Sequence, residues 1–378
     1  MENNNRAVNI AKKKNEVTKI VLTGGPCAGK TTAMSKIQER FTQLGYHVVF
    51  ISETATELIS GGISQATVAD NYEFQRCLMR LQLERERIYC ETVGDFALAS
   101  KVLVVCDRGA MDNKAYMSDS GFSMLMSSLG VNEIEVRDGY DAVFHLVTAA
   151  KGAEEFYTLS NNKARSETVS EAAAKDDALI AAWTGHPHLR VIDNSTDFAG
   201  KMDRLIAEIS SFLGEPEPLE IERKFLIEYP DTAALEAIPT CRRIEIIQTY
   251  LNSEDGSELR IRQRGEGGHF LYYRTEKRNI GGAKRVEIES RLSRDEYLEL
   301  LLQADTTKRQ IRKTRYCLMY ENKYFEIDVY PFWNDKAIME IELSDESEEI
   351  VFPDSIKVIK EVTEDPSYKN SALAARKD

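Results

Sequence analysis

Several features that would place this chain in a special class are absent from its sequence. Its six cysteines are scattered and form no CxxC pair, so we expect neither a disulfide framework nor a structural zinc site. No apolar run approaches the roughly 20 residues that a transmembrane segment needs. The first residues also lack the apolar core of a signal peptide, so we expect a cytoplasmic protein.

Basic charge is also in short supply. The chain has 49 Lys and Arg against 62 Asp and Glu, a net charge of −13, and acidic residues are in excess in both halves. Proteins that wrap nucleic acid usually show the opposite balance, so we expect no nucleic-acid partner. Any phosphate site must therefore be local.

The apolar content is ample for folded domains. Hydrophobic residues make up 42% of the 378, and this length predicts about two to three domains. Residues 1–16 are polar and rich in Asn and Lys, which predicts a disordered tail. Its run Lys12, Lys13 and Lys14 would either be solvated or touch anionic lipid.

Residues 17–213 alternate short apolar runs with long amphipathic stretches, the pattern of a doubly wound α/β domain. Nearly continuous apolar runs indicate strands that are buried on both faces of a parallel sheet. The predicted strands are 19–23, 47–51, 102–106, 142–147 and 189–192, and the predicted helices are 31–44, 71–93, 166–183 and 197–213.

The pattern changes after residues 214–218, whose two prolines and two acids predict a linker. Residues 219–378 show short strands with period-2 alternation, separated by turn signals such as Asp255-Gly256. This half is expected to be a separate antiparallel β domain.

The segment GGPCAGKT, which begins at Gly24, fits the phosphate-binding pattern G-x-x-x-x-G-K-[ST]. It follows a predicted strand and opens a predicted helix, as that motif requires. Backbone N–H groups would surround phosphate, Lys30 would reach the β- and γ-phosphates, and Thr31 would bind Mg²⁺. The predicted nucleotide-binding residues are Gly24, Gly25, Pro26, Cys27, Ala28, Gly29, Lys30, Thr31, Thr32 and Arg165.

Two carboxylates follow neighbouring predicted strands. Asp107, in the run Asp-Arg-Gly, is expected to bind a Mg²⁺ water or act as a base, with helix capping as the alternative. Glu53 is a candidate for the same work. Arg165 lies in a polar stretch that would be either a lid over the transferred phosphate or a solvated helix. His145, inside an apolar run, is expected to be a core residue.

In the second half, each predicted strand carries an apolar face and an ionic face. Carboxylates recur as E-x-E and arginines as R-x-R, and like charges two residues apart on one face repel each other. A divalent cation and a polyphosphate between the two groups would relieve that repulsion, whereas a merely solvated face would mix polar residues. The phase of the basic cluster Lys308, Arg309, Arg312 and Lys313 stays open.

The motifs of the first half resemble the P-loop kinase-like ATPase domain shared by nicotinamide riboside kinases and the TRPL translocation defect protein family. The resemblance covers residues 17–213 and implies binding of ATP or GTP with Mg²⁺. No N-K-x-D motif is present to select guanine, so base preference stays open.

The run EIERKFL, Glu220–Leu226 in this sequence, resembles the opening signature of the CYTH, or triphosphate tunnel metalloenzyme, family, an eight-stranded antiparallel β-barrel with a charged bore. The resemblance implies that a metal, Mg²⁺ or Mn²⁺, is held by Glu220, Glu222, Asp328, Glu340 and Glu342. It implies triphosphate binding by Lys224, Arg260, Arg262, Lys277 and Arg315. Together with the P-loop, the catalytic candidates are Lys30, Asp107 and Lys224.

As a whole the chain resembles the TRPL translocation defect proteins, which implies GTP binding, a phospholipid-headgroup partner and a role in vesicle trafficking. Three hypotheses follow. The first is a Mg²⁺-dependent hydrolase of inorganic or nucleoside triphosphates. The second is a non-catalytic, nucleotide-gated regulatory protein, and the third is a small-molecule kinase.

Overall fold

Two sheets of different strand direction account for the two sequence textures. The computed structural model describes residues 16–95, 101–156, 168–215, 221–253, 257–281, 284–343 and 348–375. Within these residues, one sheet has five parallel strands and the other has nine antiparallel strands. The predicted fold class, a parallel α/β P-loop domain followed by a separate antiparallel β domain, is confirmed.

The parallel sheet has the strand order β2-β3-β1-β4-β5. Its strands are β1 (Glu16–Gly24), β2 (His47–Ile51), β3 (Lys101–Asp107), β4 (Ala142–Leu146) and β5 (Leu189–Ile192). The helices of this half are α1 (Lys30–Gln43), α2 (Thr54–Ser60), α3 (Asn71–Gly94), α4 (Asp119–Leu129), α5 (Glu133–Arg137), α6 (Val169–Trp183) and α7 (Phe198–Phe212), with 3-10 helices at Ala110–Tyr116 and Glu154–Phe156.

The central strands β1, β3 and β4 are buried on both faces, as their apolar runs predict, whereas the edge strands β2 and β5 are partly exposed. In β3, Val102 and Val104 pack on one side with α3, α4 and α6, while Leu103 and Val105 pack on the other side with α1 and α7. Because the five strands are parallel, their carboxyl ends lie at one edge of the sheet, and this edge carries the P-loop.

The antiparallel sheet has the order β10-β9-β8-β7-β11-β12-β13-β6-β14. Its strands are β6 (Ile221–Glu228), β7 (Cys241–Tyr250), β8 (Glu258–Glu266), β9 (His269–Gly281), β10 (Lys284–Leu292), β11 (Ile311–Tyr320), β12 (Lys323–Val329), β13 (Lys336–Leu343) and β14 (Val358–Glu361). The helices are α8 (Thr232–Glu236), α9 (Arg294–Leu301) and α10 (Asn370–Ala374), with a 3-10 helix at Pro366–Tyr368. The ninth strand, β14, is a four-residue addition at the edge.

Period-2 alternation separates the two faces of this sheet. Phe225, Leu318, Ile327 and Met339 belong to an apolar cluster on one face, which also contains Leu235 of α8. The charged residues that alternate with them lie on the opposite face. Charge and apolar surface are thus separated by strand geometry alone.

A buried ion-pair cluster joins the two sheets. Asp138, after α5, binds the guanidinium groups of Arg137 of its own half and Arg264 of β8, each at 2.6 Å. Tyr324 of β12 donates a hydrogen bond to the carbonyl oxygen of His186 at 3.0 Å. Burial opposes ionisation of Asp138, but Arg137 and Arg264 hold its pKa below the usual value. The carboxylate is therefore charged at neutral pH and balances two arginines.

We predict that Asp138→Asn destabilises the protein strongly, because it leaves both arginines buried without their counter-charge. Loss of one member of a buried ion pair costs about 3–5 kcal/mol. Urea unfolding followed by circular dichroism measures the change. The control is Asp203→Asn. Asp203 forms an exposed ion pair with Lys36, so its loss is expected to change the free energy of unfolding only slightly. Equal, small shifts in both variants would contradict the prediction.

Candidate functional site

The charged face of the antiparallel sheet surrounds a cavity of about 600 Å³. Eight of its nine strands, β6 to β13, contribute to the lining, so the sheet curls around this space. Nine Lys or Arg and eight Asp or Glu side chains line it. Among the predicted site residues, the lining contains Glu222, Lys224, Arg260, Arg262, Lys277, Arg315, Glu340 and Glu342.

Lys224 of β6 and Glu340 of β13 form the centre of the ionic network. Lys224 Nζ lies 2.6 Å from Glu340 Oε1 and 3.2 Å from Glu222 Oε1. Arg315 Nη2 reaches the other oxygen of Glu340 at 3.0 Å. Burial opposes both charges, yet Glu340 and Glu222 raise the pKa of Lys224, and Lys224 and Arg315 lower that of Glu340. Both groups are therefore ionised when the cavity is empty of ligand.

Asp328 differs from its expected place among the metal ligands. It is completely buried and accepts hydrogen bonds from Arg315 Nε and Nη2, both at 2.7 Å, and from Lys313. Its oxygens are thus occupied by cations, and its side chain fixes the direction of the Arg315 guanidinium. Lys313 is also part of the lining, which settles the phase of that member of the basic cluster; the adjacent Arg312 is exposed.

A second group of cations in the cavity lining, Arg260, Arg262 and Arg264, belongs to β8. Arg262 forms an ion pair with Glu289 of β10, which also accepts a hydrogen bond from Thr275 Oγ1 at 3.0 Å. Burial opposes the charge of Glu289, but Arg262 and then His188 lower its pKa to about 2. The Nε of Arg262 is buried and has no hydrogen-bond partner among the described residues. The Arg262 side chain is part of the cavity lining, and a planar guanidinium group suits a phosphate oxygen.

Three carboxylates of the lining match the donor chemistry of Mg²⁺ or Mn²⁺, which prefer oxygen ligands. Glu222 of β6 lies opposite Glu342 of β13 in the strand register, and Glu340 is on the same face. Burial and the neighbouring charge of Glu340 raise the pKa of Glu222, although Lys224 opposes them. A divalent cation would relieve that repulsion. In the described part of the chain, no three His, Cys, Asp or Glu side chains are gathered as a metal cluster.

The P-loop lies between β1 and α1, as the motif predicts. Gly29 adopts a φ of +96°, and a Cβ atom there would lie 2.7 Å from the Phe198 ring, so glycine is required on both grounds. Helix α1 begins at Lys30. The free N–H groups at its start and the lysine side chain are therefore directed to the same edge of the sheet.

The expected carboxylates lie near Lys30. Burial and then Arg108 lower the pKa of Lys30 to about 8, while Asp107 and Glu53 oppose them. Burial raises the pKa of Asp107, and its Oδ1 has no hydrogen-bond partner in the described residues. Glu53 Oε1 accepts a hydrogen bond from Arg108 Nε at 2.6 Å. The structure thus brings Lys30, Asp107 and Glu53 together at the end of the parallel strands.

Asp176 of α6 also belongs to this site, although no motif in the sequence points to it. Its Oδ1 accepts a hydrogen bond from the Gly25 N–H at 3.0 Å and lies 3.0 Å from His145 Nε2, while Lys151 Nζ lies 3.1 Å from Oδ2. Burial opposes its charge, but His145 and Lys151 lower its pKa to about 2. Asp176 therefore anchors the start of the P-loop. His145 is buried, as predicted.

Two predicted site residues, Arg165 and Glu220, lie outside the described residues, as does the lysine run at 12–14. Other lining residues had no sequence signal of their own. His188 and Arg190, which precede and enter β5, belong to the half that carries the P-loop and yet line the cavity of the other half.

We predict that nucleotide binding to the P-loop weakens as pH rises from 7.5 to 9.5. Lys30 with a pKa of about 8 loses its charge in this range, so affinity falls by about tenfold per pH unit above that value. Calorimetric titration with ATP measures it. Arginine stays charged at these pH values, so Lys30→Arg is the control and should show a flat profile. The same slope in both proteins would contradict the prediction.

No helix within the described residues is both long and apolar enough to cross a bilayer.

Comparisons with known proteins agree with the two-part architecture. The AAA domain family matches residues 19–201, and the CYTH domain family matches residues 218–368. An inorganic triphosphatase of Nitrosomonas europaea is 36% identical over 159 residues, which are 41% of this chain and 96% of that protein.

Solved structures with likeness to each half were also found. The crystal structure of an inorganic triphosphatase has 29% identity and a TM-score of 0.30, and the match covers 42% of this chain and 96% of that one. A deoxyadenosine kinase from M. mycoides with bound dATP has 14% identity and a TM-score of 0.36, with 51% and 99% covered. At these TM-scores neither likeness supports a functional conclusion. From the family matches and the curated relative, the chain belongs to the CYTH family and carries an AAA-type P-loop domain fused in front of its CYTH domain.

Proposed function

We propose that this protein is a metal-dependent triphosphate hydrolase that acts in the cavity of its CYTH domain, and that its P-loop domain binds a nucleoside triphosphate with Mg²⁺. The single observation that carries the proposal is the composition of the cavity wall. Cations sufficient for a polyphosphate and oxygen ligands suitable for a divalent cation line the same cavity. The 36% identity with an inorganic triphosphatase over nearly its whole length supports it.

The residues of the cavity suit phosphoryl transfer to water. Lys224, Arg262 and Arg315 would contact phosphate oxygens and offset the charge that develops in the transition state. Asp328 holds Arg315 in one orientation, so this cation needs no rearrangement during the reaction. Glu222, Glu340 and Glu342 would hold the metal, with Glu220 as a further candidate. When bound, Mg²⁺ or Mn²⁺ would polarise a phosphoryl oxygen and activate water.

We predict that Lys224→Ala lowers the kcat for inorganic triphosphate by roughly 100-fold, the usual cost of one preorganised charge-stabilising donor. Phosphate release in the presence of Mg²⁺ or Mn²⁺ measures it, and removal of the metal with EDTA should abolish release. The control is Lys357→Ala, an exposed lysine of the same domain that pairs with Glu228 outside the cavity.

The substrate panel should include inorganic triphosphate, ATP and GTP, each tested on the wild type and on Lys30→Ala. If the CYTH cavity is the hydrolytic site, Lys30→Ala keeps triphosphate hydrolysis while Lys224→Ala loses it. The reverse pattern would place turnover at the P-loop, and no release from any substrate by the wild type would end the hydrolase proposal in favour of the non-catalytic regulatory protein.

A second candidate function, for the P-loop domain alone, is phosphoryl transfer to a small hydroxyl acceptor. The observation that favours it is the placement of Glu53 and Asp107 beside Lys30, where a carboxylate would accept the proton of an attacking hydroxyl. Glu53→Gln should then keep ATP affinity while lowering transfer. Competition between ATP and GTP would decide the base preference; a phospholipid headgroup and vesicle trafficking stay implications of the family resemblance.

A further inference from the structure

The cavity of the CYTH domain is not built by that domain alone. Pro187, His188 and Arg190, from the segment that leads into and forms β5 of the P-loop domain, are part of its wall. β5 is the edge strand of the parallel sheet. One side of the nucleotide domain therefore borders the space where we propose that triphosphate binds.

Among the described residues, three side chains of the CYTH domain that contact the P-loop domain lie at one end of the antiparallel strands. Arg264 is near the end of β8, Tyr324 near the start of β12 and Glu342 near the end of β13. Neighbouring strands run in opposite directions along the order β8-β7-β11-β12-β13. The end of β8, the start of β12 and the end of β13 therefore lie along the same edge of the sheet, the one formed by the strand ends. The P-loop domain thus covers one end of the cavity.

Arg190 makes the contact that bears on the chemistry. Its Nη2 forms an ion pair with Oε2 of Glu342, and its Nε lies 3.5 Å from Oε2 of Glu208 in α7 of its own domain. This ion pair engages Oε2 of the Glu342 carboxylate. Glu342 lies opposite Glu222 in the strand register and lines the cavity.

We propose that Arg190 of the P-loop domain is a positioning residue for the metal site of the CYTH domain, which it serves by fixing the Glu342 carboxylate through Oε2. The proposal rests on the function proposed above. It makes the triphosphate site a two-domain site, in which the nucleotide domain supplies part of the support for a metal-binding side chain.

Removal of Arg190 should change the metal affinity in opposite directions, depending on whether Arg190 orients Glu342 or acts only through its charge. A guanidinium near a divalent cation repels it, so a residue acting by charge alone would weaken metal binding, and its removal would strengthen it. Part of the Arg190 charge is balanced by Glu208, which reduces that repulsion. Loss of a partner that orients a metal-ligating carboxylate instead costs roughly 10–100-fold in metal affinity.

The test is Mn²⁺ binding to the full chain, measured through the electron paramagnetic resonance signal of free Mn²⁺. Binding is measured first without triphosphate and then with imidotriphosphate, an analogue that resists hydrolysis, against a protein-free blank that contains the same analogue. All proteins carry Lys30→Ala, so that the P-loop does not contribute a second triphosphate site. On this background we compare Arg190→Ala, Arg190→Lys and Glu208→Gln. The matched control is Arg204→Ala, which removes an arginine that pairs with Asp193 at 2.9 Å in the same domain, away from the cavity.

We expect Arg190→Ala to weaken Mn²⁺ binding by at least tenfold, Arg190→Lys to restore part of it, and Arg204→Ala and Glu208→Gln to stay within about threefold of the parent. Hydrolysis by Arg190→Ala, measured without the Lys30→Ala background, should recover at high metal concentration, because the loss is one of metal affinity. Unchanged or tighter Mn²⁺ binding in Arg190→Ala would overturn the proposal, as would equal losses in Arg204→Ala.

The outcome is separable from that of the hydrolase proposal. If the wild type releases no phosphate but Arg190→Ala still binds Mn²⁺ less tightly, the two-domain metal site stands and the hydrolase proposal fails. If the wild type hydrolyses triphosphate and Arg190→Ala binds Mn²⁺ normally, the hydrolase proposal stands and this one fails. Thermal unfolding of each variant identifies any protein that is simply misfolded.

Discussion

The antiparallel domain depends on one constraint: each charged side chain in the cavity wall must be balanced by an opposite charge beside it. An isolated ion in a cavity walled by protein loses most of its hydration, and the cost is several kcal/mol for each uncompensated charge. The wall meets this constraint by alternation: Lys224 lies between Glu222 and Glu340, and Arg315 lies between Glu340 and Asp328. With nine basic and eight acidic residues, the lining is close to neutral inside a chain whose net charge is −13.

This balance also explains how a neutral wall would bind two charged ligands. A polyphosphate attracts the cations and a divalent metal attracts the carboxylates, so each ligand takes over a partner that the other releases. Neither ligand alone offers that exchange. If a metal alone bound Glu340, Lys224 and Arg315 would lose the carboxylate that they share and would repel each other. The P-loop works differently, because one lysine and the start of α1 supply positive potential to an open edge of the sheet.

Strand alternation and one eight-residue motif made much of this structure predictable from the sequence. Period-2 spacing places Lys224, Arg260 and Arg262 on the charged face without any knowledge of the fold, and the parallel strands follow from their apolar runs. The rest depends on chain segments that are distant in sequence. In the sequence, Lys313 is one member of a basic cluster whose phase is open. Asp176 falls in a predicted helix and Arg190 in a predicted strand, with no role assigned to either. Only their tertiary neighbours give these residues a role.

The buried cluster between the domains limits where the cavity can open. Withdrawing the P-loop domain from the strand ends at Arg264 and Glu342 would separate Arg264 from Asp138 and expose both buried groups to water. It would also break the hydrogen bond from Tyr324 to the His186 carbonyl oxygen. Opening at this end would break these contacts in each reaction cycle, so we expect ligands to enter and leave elsewhere. Arg190 can therefore serve as a permanent support for Glu342, because the surface that carries it does not leave when ligands exchange.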